Sequence, residues 1–253
     1  MTEQQDNSSP EKNPESPKPR SRGIYLLPNL FTTGALFSGF YAVIASMNGH
    51  FENAAIAIFV AMVLDGLDGR VARMTNTSSA FGAEYDSLSD MVSFGVAPSL
   101  VAFNWVLADI GKLGWFAAFI YVACAALRLA RFNTQIGSVD KRYFIGLPSP
   151  AAAAVVAGMV WAAVEYEVES APYAYVVAFF VAAVGLLMVS NVLYYSFKDV
   201  DFKGKVPFII LAAIVLGLAV ISINPPTFLW LLLLAYTVSG PILWVVRKRK
   251  RTA

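Results

Sequence analysis

Asp65-Gly66-Leu67-Asp68-Gly69-Arg70-Val71-Ala72-Arg73 follows an unbroken apolar run from Ala54 to Leu64. Those eleven apolar residues span about 16 Å as a helix, roughly half of a hydrocarbon layer of about 30 Å. Asp65 therefore lies within the membrane. An isolated carboxylate there costs on the order of 2.5–3.5 kcal/mol, so it has to face a cavity and a partner. At helical spacing, positions 65, 68, 69 and 72 share one narrow stripe, two carboxylates beside two very small residues. Something bulky approaches that face. Met74 to Ala80 reads as a polar hairpin, after which Gly82, Asp86 and Asp90 recur every four residues on one face of a second helix. Counted outward from Thr77, Asp68 is nine residues before and Asp86 nine after, while Asp65 is twelve before and Asp90 thirteen after. An antiparallel pair of helices brings these four carboxylates together at matched depths. Protons or bound cations must offset their repulsion, and hard divalent ions, Mg²⁺ or Mn²⁺, suit an all-oxygen ligand set best.

The remaining chain fits that setting. Of 253 residues, 57% are hydrophobic and 14% charged, with the apolar residues in long blocks, which is a membrane profile. Cys124 and His50 are the only cysteine and histidine, so one chain can build neither a disulfide nor a Cys/His metal cluster. Segments of membrane length fall at 29–47, 52–73, 91–108, 114–132, 148–165, 172–195, 206–223 and 226–246, predicting an all-α protein of eight spans. Residues 1–20, with Pro10, Pro14, Pro17 and Pro19 and no apolar cluster, read as a disordered tail and not as a secretory signal. With eight spans, eighteen of the nineteen Lys and Arg residues fall on one side and only Lys112 on the other. The positive-inside rule makes the charged side cytosolic, with both termini there and Glu165, Glu167 and Glu169 outside. The run from Arg247 to Arg251 reads as a topology anchor on anionic lipid.

Other readings compete for the acidic stretch. It could line the cation or proton path of a transporter. The small residues could serve helix packing alone, and Arg70 and Arg73 could be ordinary flanking charges. The joint spacing decides among these.

From Asp65 to Asp90 the chain fits D-x2-D-G-x2-A-R-x8-G-x3-D-x3-D at all eight fixed positions, and this resembles the signature of the CDP-alcohol phosphotransferases. The resemblance implies a six-helix catalytic core, here 21–197, followed by two extra spans over 198–246 and a basic tail at 247–253. It implies two divalent ions held by Asp65, Asp68, Asp86 and Asp90, with Asp90 also the general base. It further implies a nucleotide site of Asn29, Thr32, Asp65, Asp68, Gly69, Ala72, Arg73 and Gly82. The strings Gly23 to Thr32, Asp86 to Pro98, Arg128 to Asn133 and Gly146 to Pro150 resemble bacterial members of the family that transfer a phosphatidyl group from CDP-diacylglycerol to L-serine, releasing CMP. A sibling acceptor, glycerol 3-phosphate, shares the same catalytic motif. Arg128, Arg131 and Asn133 are the candidate acceptor-binding residues, because a guanidinium grips a carboxylate through two parallel hydrogen bonds. The resemblance also implies a homodimer in a bacterial inner membrane with the site facing the cytosol, and no nucleic-acid partner. Ala154 and Gly158, four residues apart, would permit close helix contact either between chains or within one.

Overall fold

Alanine-rich faces set how closely the first two helices meet. α1 (Leu26–Met47) and α2 (Phe51–Thr75) are packed through buried Ala35, Ala42 and Ala45 on one side and Ala54, Ala55 and Ala61 on the other. Small side chains let the backbones approach, which is how helices gain contact where apolar burial alone offers little. These coordinates are a computed structural model and describe residues 26–75, 77, 79–134, 143–196 and 208–252. The expected disordered tail, the loop carrying Lys141 and Arg142, and the stretch carrying Lys198, Lys203 and Lys205 lie outside the described residues.

The third span differs from the expectation of 91–108. α3 (Ala80–Asp90), a π-helical segment (Met91–Val96) and α4 (Ala97–Trp105) run end to end, so the helical path starts at Ala80. Pro98 has no N–H to return to the Phe94 carbonyl. The Tyr121 hydroxyl, from the next helix, donates to that carbonyl at 3.1 Å. The wide turn lies where α3 passes α1, and a Cβ on Gly39 would overlap Ser93.

α5 (Lys112–Thr134), α6 (Ser149–Glu165), α7 (Ala174–Val189), α8 (Phe208–Ile223) and α9 (Pro225–Thr252) complete the described α-helices, with short 3-10 turns at Leu107–Ile110 and Ala171–Tyr173. Among the described residues, four helical stretches, Pro28–Met47, Lys112–Thr134, Ala171–Val189 and Pro225–Arg247, are long and apolar enough to cross a membrane. α6 is central, with every residue from Ala152 to Ala157 fully buried. Gly158 lies against Trp230 of α9, whose Cα would stand 3.4 Å from an added Cβ. Packing within the chain therefore accounts for Gly158, and Ala154 is fully buried.

The span expected at 172–195 ends as a helix at Val189. Ser190 turns extended, and the chain then forms β2 (Leu193–Tyr195), antiparallel to β1 (Tyr143–Ile145), with Phe144 opposite Tyr194. Gly146, at φ 79°, lets this ribbon press onto the end of α7, since a Cβ there would overlap the Met188 carbonyl. The ribbon ties the loop after α5 to the loop after α7. α9 continues without a break through the basic run to Thr252.

Candidate active site

Buried hydroxyls fix the two acidic helices before any ligand is considered. Ser89 Oγ donates to the Thr32 carbonyl at 3.1 Å and Ser93 Oγ to the Ala35 carbonyl at 3.0 Å, riveting the α3 path to α1. Thr33 and Tyr85 share a hydroxyl contact of 2.9 Å on the same seam. Ser79 caps α3, its Oγ accepting from the Gly82 N–H at 3.0 Å. With α3 so placed, Asp86 and Asp90 face the Asp65 and Asp68 stripe of α2.

Asp65, Asp68 and Asp86 each offer a carboxylate oxygen, and these oxygens lie within 4.8 Å of one another. Asp68 is buried and is held by Thr32, whose Oγ1 lies 2.7 Å from its Oδ2 and 3.1 Å from the Pro28 carbonyl. Asp86 Oδ1 is buried and has no hydrogen-bond partner within the protein. An orphaned carboxylate oxygen among two more carboxylates is costly unless a cation occupies the space between them. Three hard oxygen donors converging this way fit a divalent metal ion. Asp90 adjoins Asp65 and stands toward Arg128, whose charge acts on it.

Beside the carboxylates opens a cleft of about 170 Å³ between α1, α2 and α3. Six of the sequence-derived nucleotide residues line it: Asn29, Thr32, Asp68, Gly69, Ala72 and Gly82. Gly69 has no protein atom within 4 Å of where a Cβ would stand, so internal packing does not require its small size. The cleft does. Asp65 is not part of the cleft lining, and Arg73 turns outward, its Nε donating to the Gly69 carbonyl at 2.8 Å. Pro28, Thr77, Ser79 and Ala83 also line the cleft and were not singled out in the sequence. The cap signature of a serine three residues before Gly82 could have flagged Ser79.

The three acceptor candidates separate in space. Arg128 Nη1 donates to Ser149 Oγ at 2.6 Å, while its buried Nε has no partner. Arg131 is occupied with the end of α7, reaching the Val189 carbonyl at 3.3 Å and Asn191 Oδ1 at 2.8 Å. Asn133 pairs with Ser87, its Nδ2 donating at 3.0 Å, and so bridges α5 to the helix that carries Asp86. Of the three, Arg128 is the one whose charge acts on Asp90.

A membrane bundle whose second and third helical paths pool aspartates beside a small-residue cleft can hold a divalent cation next to a bound substrate. The chain belongs to the CDP-alcohol phosphatidyltransferase family, whose model matches residues 25–188. It is 37% identical over 222 residues to the CDP-diacylglycerol–serine O-phosphatidyltransferase of Helicobacter pylori, covering 88% of this chain and 92% of that one. Proteins of the same name from Methanocaldococcus jannaschii and Mycobacterium leprae are 37% and 30% identical, covering 76% and 87% of this chain and 85% and 75% of theirs.

Proposed function

We propose that this protein transfers the phosphatidyl group of CDP-diacylglycerol to the hydroxyl of L-serine, yielding phosphatidylserine and CMP. The observation that carries this reading is the carboxylate trio with the orphaned Asp86 oxygen, opening on a cleft lined by Gly69 and Ala72. Serine as acceptor is supported by the names of relatives that align along most of the chain. Asn29, Thr32, Gly69, Ala72 and Gly82 would receive the nucleotide, with Arg73 at its rim. The serine oxygen bonds to the lipid-bearing phosphorus as the bond from that phosphorus to the bridging oxygen breaks, and CMP departs with the electron pair. Asp90 takes the hydroxyl proton. Two Mg²⁺ or Mn²⁺ ions, held by Asp65, Asp68, Asp86 and Asp90, would neutralise the pyrophosphate and stabilise the leaving CMP. The deciding experiment measures CMP release by purified protein given serine, glycerol 3-phosphate and inositol separately. Release with glycerol 3-phosphate but not serine refutes the acceptor assignment.

Arg128 is proposed to grip the serine carboxylate. Lysine keeps the charge but cannot reproduce the fork, so Arg128→Lys is expected to raise the serine KM roughly 10-fold or more, the size of one charge-assisted contact. The KM for CDP-diacylglycerol should hold. Arg131→Lys is expected to lower the melting temperature and spare serine kinetics. The reverse pattern in the two variants would move the serine site to Arg131.

The charge distribution supports an inner-membrane orientation with both termini and the site on the cytosolic side. A cysteine placed at Lys112, in a chain whose Cys124 is buried, should react with an impermeant thiol reagent only from outside. Reaction only from the cytosolic face would invert the topology. A homodimer, if formed, must use a face other than that of Gly158, which α9 covers. Light scattering of the detergent-solubilised protein measures that stoichiometry.

A further inference from the structure

Ser149, the first residue of α6, is buried and lies between two prolines. Pro148 and Pro150 restrict the backbone on either side, and the missing N–H of Pro150 costs nothing in the first turn of a helix. The chain leading to Ser149 is pinned as well. The Gly146 N–H donates to the Val192 carbonyl at 2.8 Å and the Leu147 N–H to the Leu187 carbonyl at 3.0 Å. The other strand of that ribbon is fastened to α9. Pro241 has no N–H, so the Thr237 carbonyl one turn earlier loses its helical partner, and the Tyr194 hydroxyl on β2 donates to it at 3.0 Å. Ser149 Oγ is therefore a fixed point at the start of α6.

That point holds Arg128. Its Nη1 donates to Ser149 Oγ at 2.6 Å, a short charge-assisted bond, while its buried Nε has no partner among the described residues. The neighbours on its own helix face show where along the site Arg128 stands. Tyr121, Ala125 and Arg128 share one side of α5 at spacings of four and three. Tyr121 reaches the Phe94 carbonyl at 3.1 Å, and a Cβ on Gly95 would stand 3.3 Å from the Ala125 Cβ. Further along, Asn133 pairs with Ser87 at 3.0 Å. α5 thus runs antiparallel to the path that carries the acids. Arg128, between Ala125 and Asn133, falls level with the stretch between Gly95 and Ser87, which contains Asp90. An arginine has many rotamers, and one tethered nitrogen selects among them. A buried N–H left unpaired is costly, and an anionic group on the acceptor alcohol would satisfy it.

We infer that Ser149 is a positioning residue for the acceptor: by fixing Nη1 it presents the free Nε of Arg128 to an anionic group on the acceptor alcohol, and so sets the affinity for that substrate. This rests on the proposed role of Arg128 as the acceptor's anchor. The competing role is structural: Ser149 satisfies a buried guanidinium and joins α5 to α6, with no bearing on the acceptor.

Kinetics of CMP release by the purified protein separate the two roles. Ser149→Ala is expected to raise the acceptor KM roughly 10-fold, the loss of one hydrogen bond to a charged group, with the KM for CDP-diacylglycerol within about twofold. Ser99→Ala is the structural control, since the buried Ser99 Oγ donates to the Ala118 carbonyl of α5 at 2.9 Å, ten residues before Arg128. It should lower the melting temperature and leave both KM values within about twofold. In an Arg128→Met background, which keeps the stem but offers no donor, Ser149→Ala should change the acceptor kcat/KM by less than about twofold, because nothing is left to position. The inference is overturned by an unchanged acceptor KM in Ser149→Ala, by equal shifts for both substrates, by the same rise in Ser99→Ala, or by a full Ser149→Ala effect in the Arg128→Met background. Should Ser149→Ala not be recovered, Ser149→Cys keeps the volume with a far weaker acceptor and is read by the same criteria. If Arg128→Met itself spares the acceptor kcat/KM, the Arg128 reading fails and this inference with it. If Arg128→Met lowers it and Ser149→Ala has no effect, this inference fails alone. The wild type is assayed first with serine, glycerol 3-phosphate and inositol, and if serine is not used the variants are compared with whichever acceptor releases CMP.

Discussion

Asp86→Asn is expected to lower CMP release at least ~1000-fold, equivalent to about 4 kcal/mol of lost transition-state stabilisation, while the protein still folds and inserts. Asparagine matches aspartate in volume, so the α2–α3 seam is undisturbed. What disappears is a ligand charge at the orphaned Oδ1. The same outcome is expected for Asp65→Asn and for Asp68→Asn, where the amide oxygen can still accept the Thr32 hydroxyl now 2.7 Å from Asp68 Oδ2. Stability should move the other way. Three carboxylates with oxygens within 4.8 Å repel one another in the metal-free protein, so removing one charge should hold or raise its melting temperature. The rise in melting temperature on adding Mn²⁺ with CDP should be lost in each variant. A variant that keeps both turnover and that metal-dependent rise would remove its aspartate from the metal site.

Most of this site was legible because the helical period is strict. Asp65, Asp68, Gly69 and Ala72 declare one face by spacing alone and Asp86 and Asp90 another, and near-equal distances from Thr77 predict which acids meet. The supports left no such trace. Ser89 and Ser93 reach helix carbonyls of α1, and a serine that does so reads in sequence like any other small polar residue. The two interior prolines announce that a carbonyl has been freed, but not that Tyr121 and Tyr194, distant in sequence, supply the hydroxyls. The ribbon is hidden in the sequence because Val192 to Tyr195 resumes the apolar run of α7 after only Ser190 and Asn191, and strands of three residues carry too little alternation to register. Arg128 and Arg131, three residues apart, looked equivalent for the same reason that the aspartates looked paired. Only the fold shows one turned to Ser149 and Asp90 and the other tied to Val189 and Asn191.

Asp90→Asn should separate binding from chemistry. The three carboxylates that cluster within 4.8 Å are Asp65, Asp68 and Asp86, and Asp90 stands beside Asp65 on the side of Arg128. If Arg128 holds the acceptor, its hydroxyl is delivered next to Asp90, and a carboxylate there can take the proton as the new bond to phosphorus forms. Asparagine cannot take that proton. The expected result is a fall in kcat of about 100- to 10,000-fold, the usual contribution of a general base, with metal-dependent CDP binding retained. That profile differs from Asp86→Asn, which should lose binding and turnover together. Two measurements on one preparation decide it: CMP release with serine, and the shift in melting temperature on adding Mn²⁺ and CDP. Loss of both would make Asp90 primarily a metal ligand. Retention of full turnover would place the base elsewhere, because no neutral amide at position 90 could do the work of a carboxylate.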